Sequence, residues 1–150
     1  MDAQITRIEA QTVAYLPMTG PYSQIPEAMG RLYGWVAQHG LTPAGPPQAV
    51  YMTPPGDEAN AEWQLWAPVA GGEDRELDEM GIGVKHLESF EAAVTMHRGP
   101  YDTVAETYQE LMDWMLGQGR SMAGPPMEVY FSGPEVPPAE TLTEIRFPVS

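Results

Sequence analysis

The 150-residue chain contains no cysteine, which excludes disulfide frameworks, thiolate metal sites and cysteine nucleophiles. Basic residues are nearly as scarce: seven Lys and Arg stand against 21 Asp and Glu, for a formal net charge of −14. A chain so poor in cationic side chains has no patch with which to displace phosphate counterions, so direct nucleic-acid binding is not expected. No apolar run approaches the roughly 20 residues that a membrane-spanning helix needs. The opening MDAQITRIEAQ has neither a basic nor an apolar leader region, so a cytoplasmic protein is the expectation. Also missing are G-x-S-x-G, HExxH, a phosphate-cradling glycine loop and an EF-hand pattern. The three histidines are too scattered for a metal site, and no cofactor is implied.

What remains is enough for a core. Hydrophobic residues make up 43% of the chain, with four Trp, seven Tyr and ten Met. The chain also repeats itself. Gly20 to Tyr51 aligns without a gap on Gly99 to Tyr130, with 13 of 32 positions identical. Each copy begins with a strand, QTVAYLPM or EAAVTMH, and turns at Gly-Pro-Tyr. Ser23 and Asp102 are placed as N-caps. A helix follows, with Ile25, Met29, Leu32 and Val36 in one copy and Val104, Tyr108, Leu111 and Met115 in the other at helical spacing. Gly40 and Gly119 are placed to end the helices. A Gly-Pro-Pro loop, a short strand (QAVYMT or MEVYFS), a Pro-rich connection and a closing strand complete each copy.

These patterns predict an α+β fold of duplicated strand–helix–strand–strand modules, each preceded by a further short strand, ITRIE or GVKHLE. The expected architecture is pseudo-twofold, an antiparallel sheet with two main helices on one face. The predicted boundaries are about 1–70 and 81–150, one domain of two repeats joined by a solvated acidic linker at 70–81.

Two copies of GPY–helix–G–GPP–VY, each closed by a strand ending in Pro-Val (Pro68-Val69 and Pro148-Val149), resemble the GyrI-like family. This is the small-molecule-binding domain that also serves as the effector domain of AraC- and MerR-type multidrug regulators. The resemblance implies an aromatic-lined concave groove on the sheet face opposite the helices. It also implies a buried glutamate that meets a small lipophilic or cationic ligand. Because the first strand starts close to Met1, the chain looks like a stand-alone member without a DNA-binding domain. Two alternatives come with the family: a hydrolase of strained, cyclopropane-bearing genotoxins, and an acidic inhibitory protein whose partner is gyrase or a separate regulator.

Strand alternation proposes the site residues. Ile145, Phe147 and Val149 should pack under the helices, which sends Glu144 and Arg146 to the other face. Aligned on the Pro-Val ends, Gln64 stands in place of Glu144 and Trp66 in place of Arg146, with Glu62 on the same face. Glu144 is thus the expected charge partner of a cation, or the base of the hydrolase alternative; otherwise it pairs with Arg146. Trp66 is the expected stacking ring, since Trp63 should face the helices. Tyr51 and Tyr130 line the groove if their neighbours Val50 and Val129 face the helices. Tyr22 and Tyr101, duplicated at the helix starts, suit packing.

Overall fold

A computed structural model describes residues 2–53, 58–132 and 135–150. The Pro-rich connections expected at Pro54-Pro55 and at Gly133-Pro134 lie outside the described residues. The fold is α+β: two helices and antiparallel strands in a repeated strand–helix–strand–strand pattern. It divides into two compact units, residues 9–89 and residues 1–8 with 90–150.

In the first of these units, β2 (Gln11–Thr19) leads through a 3-10 turn at Tyr22–Gln24 into α1 (Ile25–Gln38). The chain returns through β3 (Thr42–Pro43), β4 (Gln48–Tyr51) and β5 (Glu62–Ala70) to β6 (Gly83–Leu87). The sheet order is β4-β5-β2-β6, with β3 also pairing to β5, and α1 packs on β2 and β5. Ala28, Leu32, Trp35 and Val36 form the buried stripe of α1.

The other unit takes β1 (Gln4–Ile8), β7 (Phe90–Arg98), α2 (Val104–Gly117), β8 (Met127–Tyr130) and β9 (Leu142–Pro148), in sheet order β1-β7-β9-β8. Leu111 and Met115 of α2 bury completely against Ala93, Ile145, Phe147 and Val149. Each such side chain contributes about 1.5–3 kcal/mol. The closing strand therefore alternates as its sequence indicates.

The short strand leading each copy pairs with the other copy: β1 runs antiparallel to β7, and β6 to β2. The residues between lead strand and first strand explain why neither forms a hairpin with its successor. Glu9-Ala10 and Glu88-Ser89 contain no glycine or asparagine for the positive φ of a tight hairpin turn.

Both helices stop where expected. Gly40 and Gly119 have φ of 68° and 77°, and Leu41 and Arg120 donate back to the Val36 and Met115 carbonyls in the six-to-one bond of a Schellman ending. The helix starts differ from expectation. Ser23 and Asp102 lie inside 3-10 turns, the capping positions fall to Gln24 and Thr103, and neither makes a side-chain cap hydrogen bond. The turn N–H groups of Gln24 and Thr103 instead bond the carbonyls of Pro21 and Pro100.

The acidic segment is exposed from residue 70 to 80 yet tied at two points. Arg75 forms an antiparallel bridge to Val84, covering part of the β6 edge. Asp78 accepts hydrogen bonds from the indole of Trp35 at 2.7 Å and from the backbone of Met80 and Ile82.

Candidate functional site

In β8 and β9 the register decides which residues share a face. Glu128 lies opposite Ile145, and Tyr130 opposite Thr143. Ile145 belongs to the core under α2, so Glu128 and Tyr130 point to the helix-covered side. Val129 lies opposite Glu144, and Met127 opposite Arg146, on the other face. The conditional reading that put Val50 and Val129 under the helices, and the tyrosines on the far face, is thus inverted. Val129 is itself only 1% exposed, so burial of the valine carries no information about the side it takes.

Glu128 is 6% exposed. Its two carboxylate oxygens accept hydrogen bonds from two phenols: Tyr108 on α2 reaches Oε2 at 2.6 Å, and Tyr130 reaches Oε1 at 2.9 Å. Bonds of this charge-assisted kind make burial of a carboxylate tolerable. The ring of Tyr108 also leans on Phe147, with centroids 5.6 Å apart. Tyr101, in the turn that starts α2, meets Tyr130 edge-on at 5.9 Å and is half exposed. Partial burial raises the Tyr101 pKa above the ordinary phenol value; a hydrogen bond with Thr143 opposes the rise and the nearby Glu128 charge adds to it. The result is a carboxylate floor ringed by tyrosines, with Tyr101 at its accessible edge.

The first copy repeats the frame without the chemistry. Tyr22 meets Tyr51 edge-on at 5.2 Å, as Tyr101 meets Tyr130, and lies 6.3 Å from Trp63. At the positions of Glu128 and Tyr108, however, this copy has Ala49 and Met29. The two halves of the hydrogen bond are replaced together. Comparing the aligned copies pair by pair exposes this difference in the sequence itself; attention to the closing strand passes over it.

The residues expected to form the site fall into separate groups. Glu144 accepts an ion-paired hydrogen bond from Arg146 at 2.5 Å, their side chains 21% and 15% exposed. One oxygen of this carboxylate is therefore already occupied by a partner on its own strand. Gln64 and Trp66 share the face of their sheet away from α1, where the Trp66 indole donates to Gln64 Oε1 at 2.9 Å. Glu62 lies on that face at the strand end and is exposed, opposite Thr19. Tyr51 is opposite the fully buried Trp63 on the α1 side. Structure therefore brings Gln64 with Trp66, Glu144 with Arg146, and Tyr130 with a glutamate that sequence reasoning passed over.

His97 and His39 make contacts within their own units. His97 is buried between β7 and α2: Nε2 donates to the Pro100 carbonyl at 3.0 Å, and Nδ1 shares a 2.7 Å hydrogen bond with the Thr107 hydroxyl. His39 stacks on Trp35. Among the described residues no group of His, Asp and Glu is arranged to hold a metal ion, and no helix is long and apolar enough to cross a membrane.

Solved structures with the same fold include the C-terminal domain of EcmrR, at TM-score 0.86 and 25% identity over 99% of this chain and 97% of that one. EcmrR in a complex with DNA superposes at TM-score 0.87 and 24% identity; the match covers 99% of this chain but only 57% of that one. A hydrolase from Listeria innocua follows at TM-score 0.75 and 17% identity, covering 99% and 91% of the two chains. SAV2435, solved with tetraphenylphosphonium, matches at TM-score 0.57 and 18% identity over 100% and 94%. No curated protein sequence gives a significant match. The GyrI-like small molecule binding domain matches residues 1–70 and 72–150. With both repeats matched, this chain belongs to the GyrI-like small-molecule-binding family.

Proposed function

We propose that the chain binds an amphipathic organic cation, with Glu128 as its charge partner and Tyr101, Tyr108 and Tyr130 as its walls. The observation that carries this reading is a carboxylate 6% exposed and held by two phenols, Tyr108 and Tyr130. Such an anion sits in a medium of low dielectric, where a delocalised cation gains far more than it would in water. A lipophilic cation is the partner of choice because its own desolvation cost is small, and tyrosine faces add cation–π attraction. Mostly apolar walls with a few placed polar groups are the ordinary composition of a small-molecule site. The tetraphenylphosphonium held by SAV2435 is a ligand of this chemistry. Sequestration or sensing of such compounds is the role that follows. EcmrR has a longer chain, of which this one spans 57%, and its DNA complex is a property of that whole protein.

Two isosteric ions test the reading. Calorimetric titration with tetraphenylphosphonium should give a saturable one-to-one isotherm, and tetraphenylborate, alike in shape but opposite in charge, should give none. Equal binding of both ions would remove the carboxylate from the recognition.

A further inference from the structure

Lys85 is the only lysine in the chain. It lies on β6 opposite Val13, on the sheet face away from α1 and outside the Glu128 site. Its Nζ stands 4.3 Å from the centroid of the Tyr15 ring and 4.8 Å from that of Trp66, and donates one hydrogen bond, 3.0 Å long, to Gln64 Oε1. Although 21 carboxylates are present in the chain, none of the described ones forms an ion pair with it. The same Gln64 oxygen is shared with the Trp66 indole, so among the described residues the amine has a single, divided acceptor. Burial is what lowers its pKa below the ordinary lysine value.

Two aromatic faces and half an amide are weak compensation for a half-buried ammonium. Lysine amines in such surroundings give up their proton readily and become nucleophiles, as in enzymes that form Schiff bases. We propose that Lys85 is an amine site for small aromatic aldehydes, which it captures reversibly as an imine. The neutral Nζ lone pair attacks the aldehyde carbon, forming the C–N bond, while the carbonyl oxygen takes up a proton to give a carbinolamine. Loss of the second N–H proton and departure of the oxygen as water leave the C=N bond. No oxidant or reductant enters. The Tyr15 and Trp66 faces that held the ammonium then stack on the planar imine, and Gln64 Oε1 is left to the Trp66 indole.

One lysine makes the test simple. The full-length protein is incubated with benzaldehyde at pH 7.5, trapped with cyanoborohydride and mapped by peptide mass spectrometry, which separates Lys85 from the terminal α-amine. Expected is a Lys85 adduct formed several-fold faster than on Nα-acetyl-lysine amide, absent in Lys85→Arg, and slowed to the rate of the free amine in Trp66→Leu with unchanged circular dichroism. A wild-type rate at or below that of the free amine overturns the proposal, as does labelling confined to the α-amine. The wild-type comparison stands whether or not either variant folds. Tetraphenylphosphonium has no carbonyl, so its binding and this capture succeed or fail independently.

Discussion

The Tyr108 hydroxyl on α2 donates a 2.6 Å hydrogen bond to Glu128 Oε2 on β8, joining helix to sheet through a buried charge. This contact makes the second copy chemically different from the first, where Met29 and Ala49 stand at the aligned positions instead. Tyr108→Phe keeps the ring against Phe147 and deletes only the hydroxyl. The variant should lose about 1–3 kcal/mol of stability in urea unfolding, the range for withdrawing one bond from a buried charged group. In the background of Glu128→Gln the same change should cost less, because the charge is gone. Equal losses in both backgrounds would show that the hydroxyl acts through something other than the carboxylate.

The acidic segment should reveal its anchor by pH. Asp78 has its pKa lowered, first by the Trp35 indole bond and then by its backbone donors. A group with a depressed folded pKa adds stability that is fully present above its unfolded pKa and lost as pH falls through the folded one. The unfolding midpoint of wild type should therefore exceed that of Asp78→Asn at pH 6, and the gap should close below about pH 4. A gap that stays constant from pH 6 to pH 3 would rule out the charge as its source.

Two glycine substitutions should act in opposite directions. A Cβ at Gly83 would lie 2.6 Å from the Arg75 carbonyl oxygen and 3.1 Å from the Tyr15 ring, where backbone cannot yield. Gly83→Ala should cost about 1–3 kcal/mol and loosen the Arg75–Val84 bridge. Gly34 sits on the exposed side of α1 with nothing within 4 Å of a new Cβ. Gly34→Ala should stabilise by about 0.5–1 kcal/mol. Urea midpoints of both variants check the pair; a neutral Gly83→Ala would mean that the bridge moves freely.

How far the sequence could be read depended on whether a strand has one buried face or two. Ile145, Phe147 and Val149 alternate with polar residues, so period two assigned their side directly, and the glycines at 40 and 119 marked the helix ends. β8 is four residues long, and Met127, Glu128 and Val129 are all buried. With both faces covered, hydrophobicity says nothing about which way Glu128 points. Glu144 lies on a strand whose alternation is legible, but its charge is paired with Arg146 two residues on. The exchange of β1 and β6 between the copies was equally out of reach, because partner choice depends on long-range pairing that local patterning does not encode. The joint change of Met29 to Tyr108 and Ala49 to Glu128 was visible in the repeat, and becomes meaningful once the register places both on one side of the sheet.

The most direct measurement is tryptophan-fluorescence titration with tetraphenylphosphonium of wild type, Glu128→Gln and Glu144→Gln side by side. Loss of the buried charge at Glu128 should weaken binding at least tenfold, about 1.4 kcal/mol, while Glu144→Gln should bind within twofold of wild type. Undiminished affinity in Glu128→Gln, or a tenfold loss confined to Glu144→Gln, would contradict the assignment and return the cation to the opposite face of the sheet.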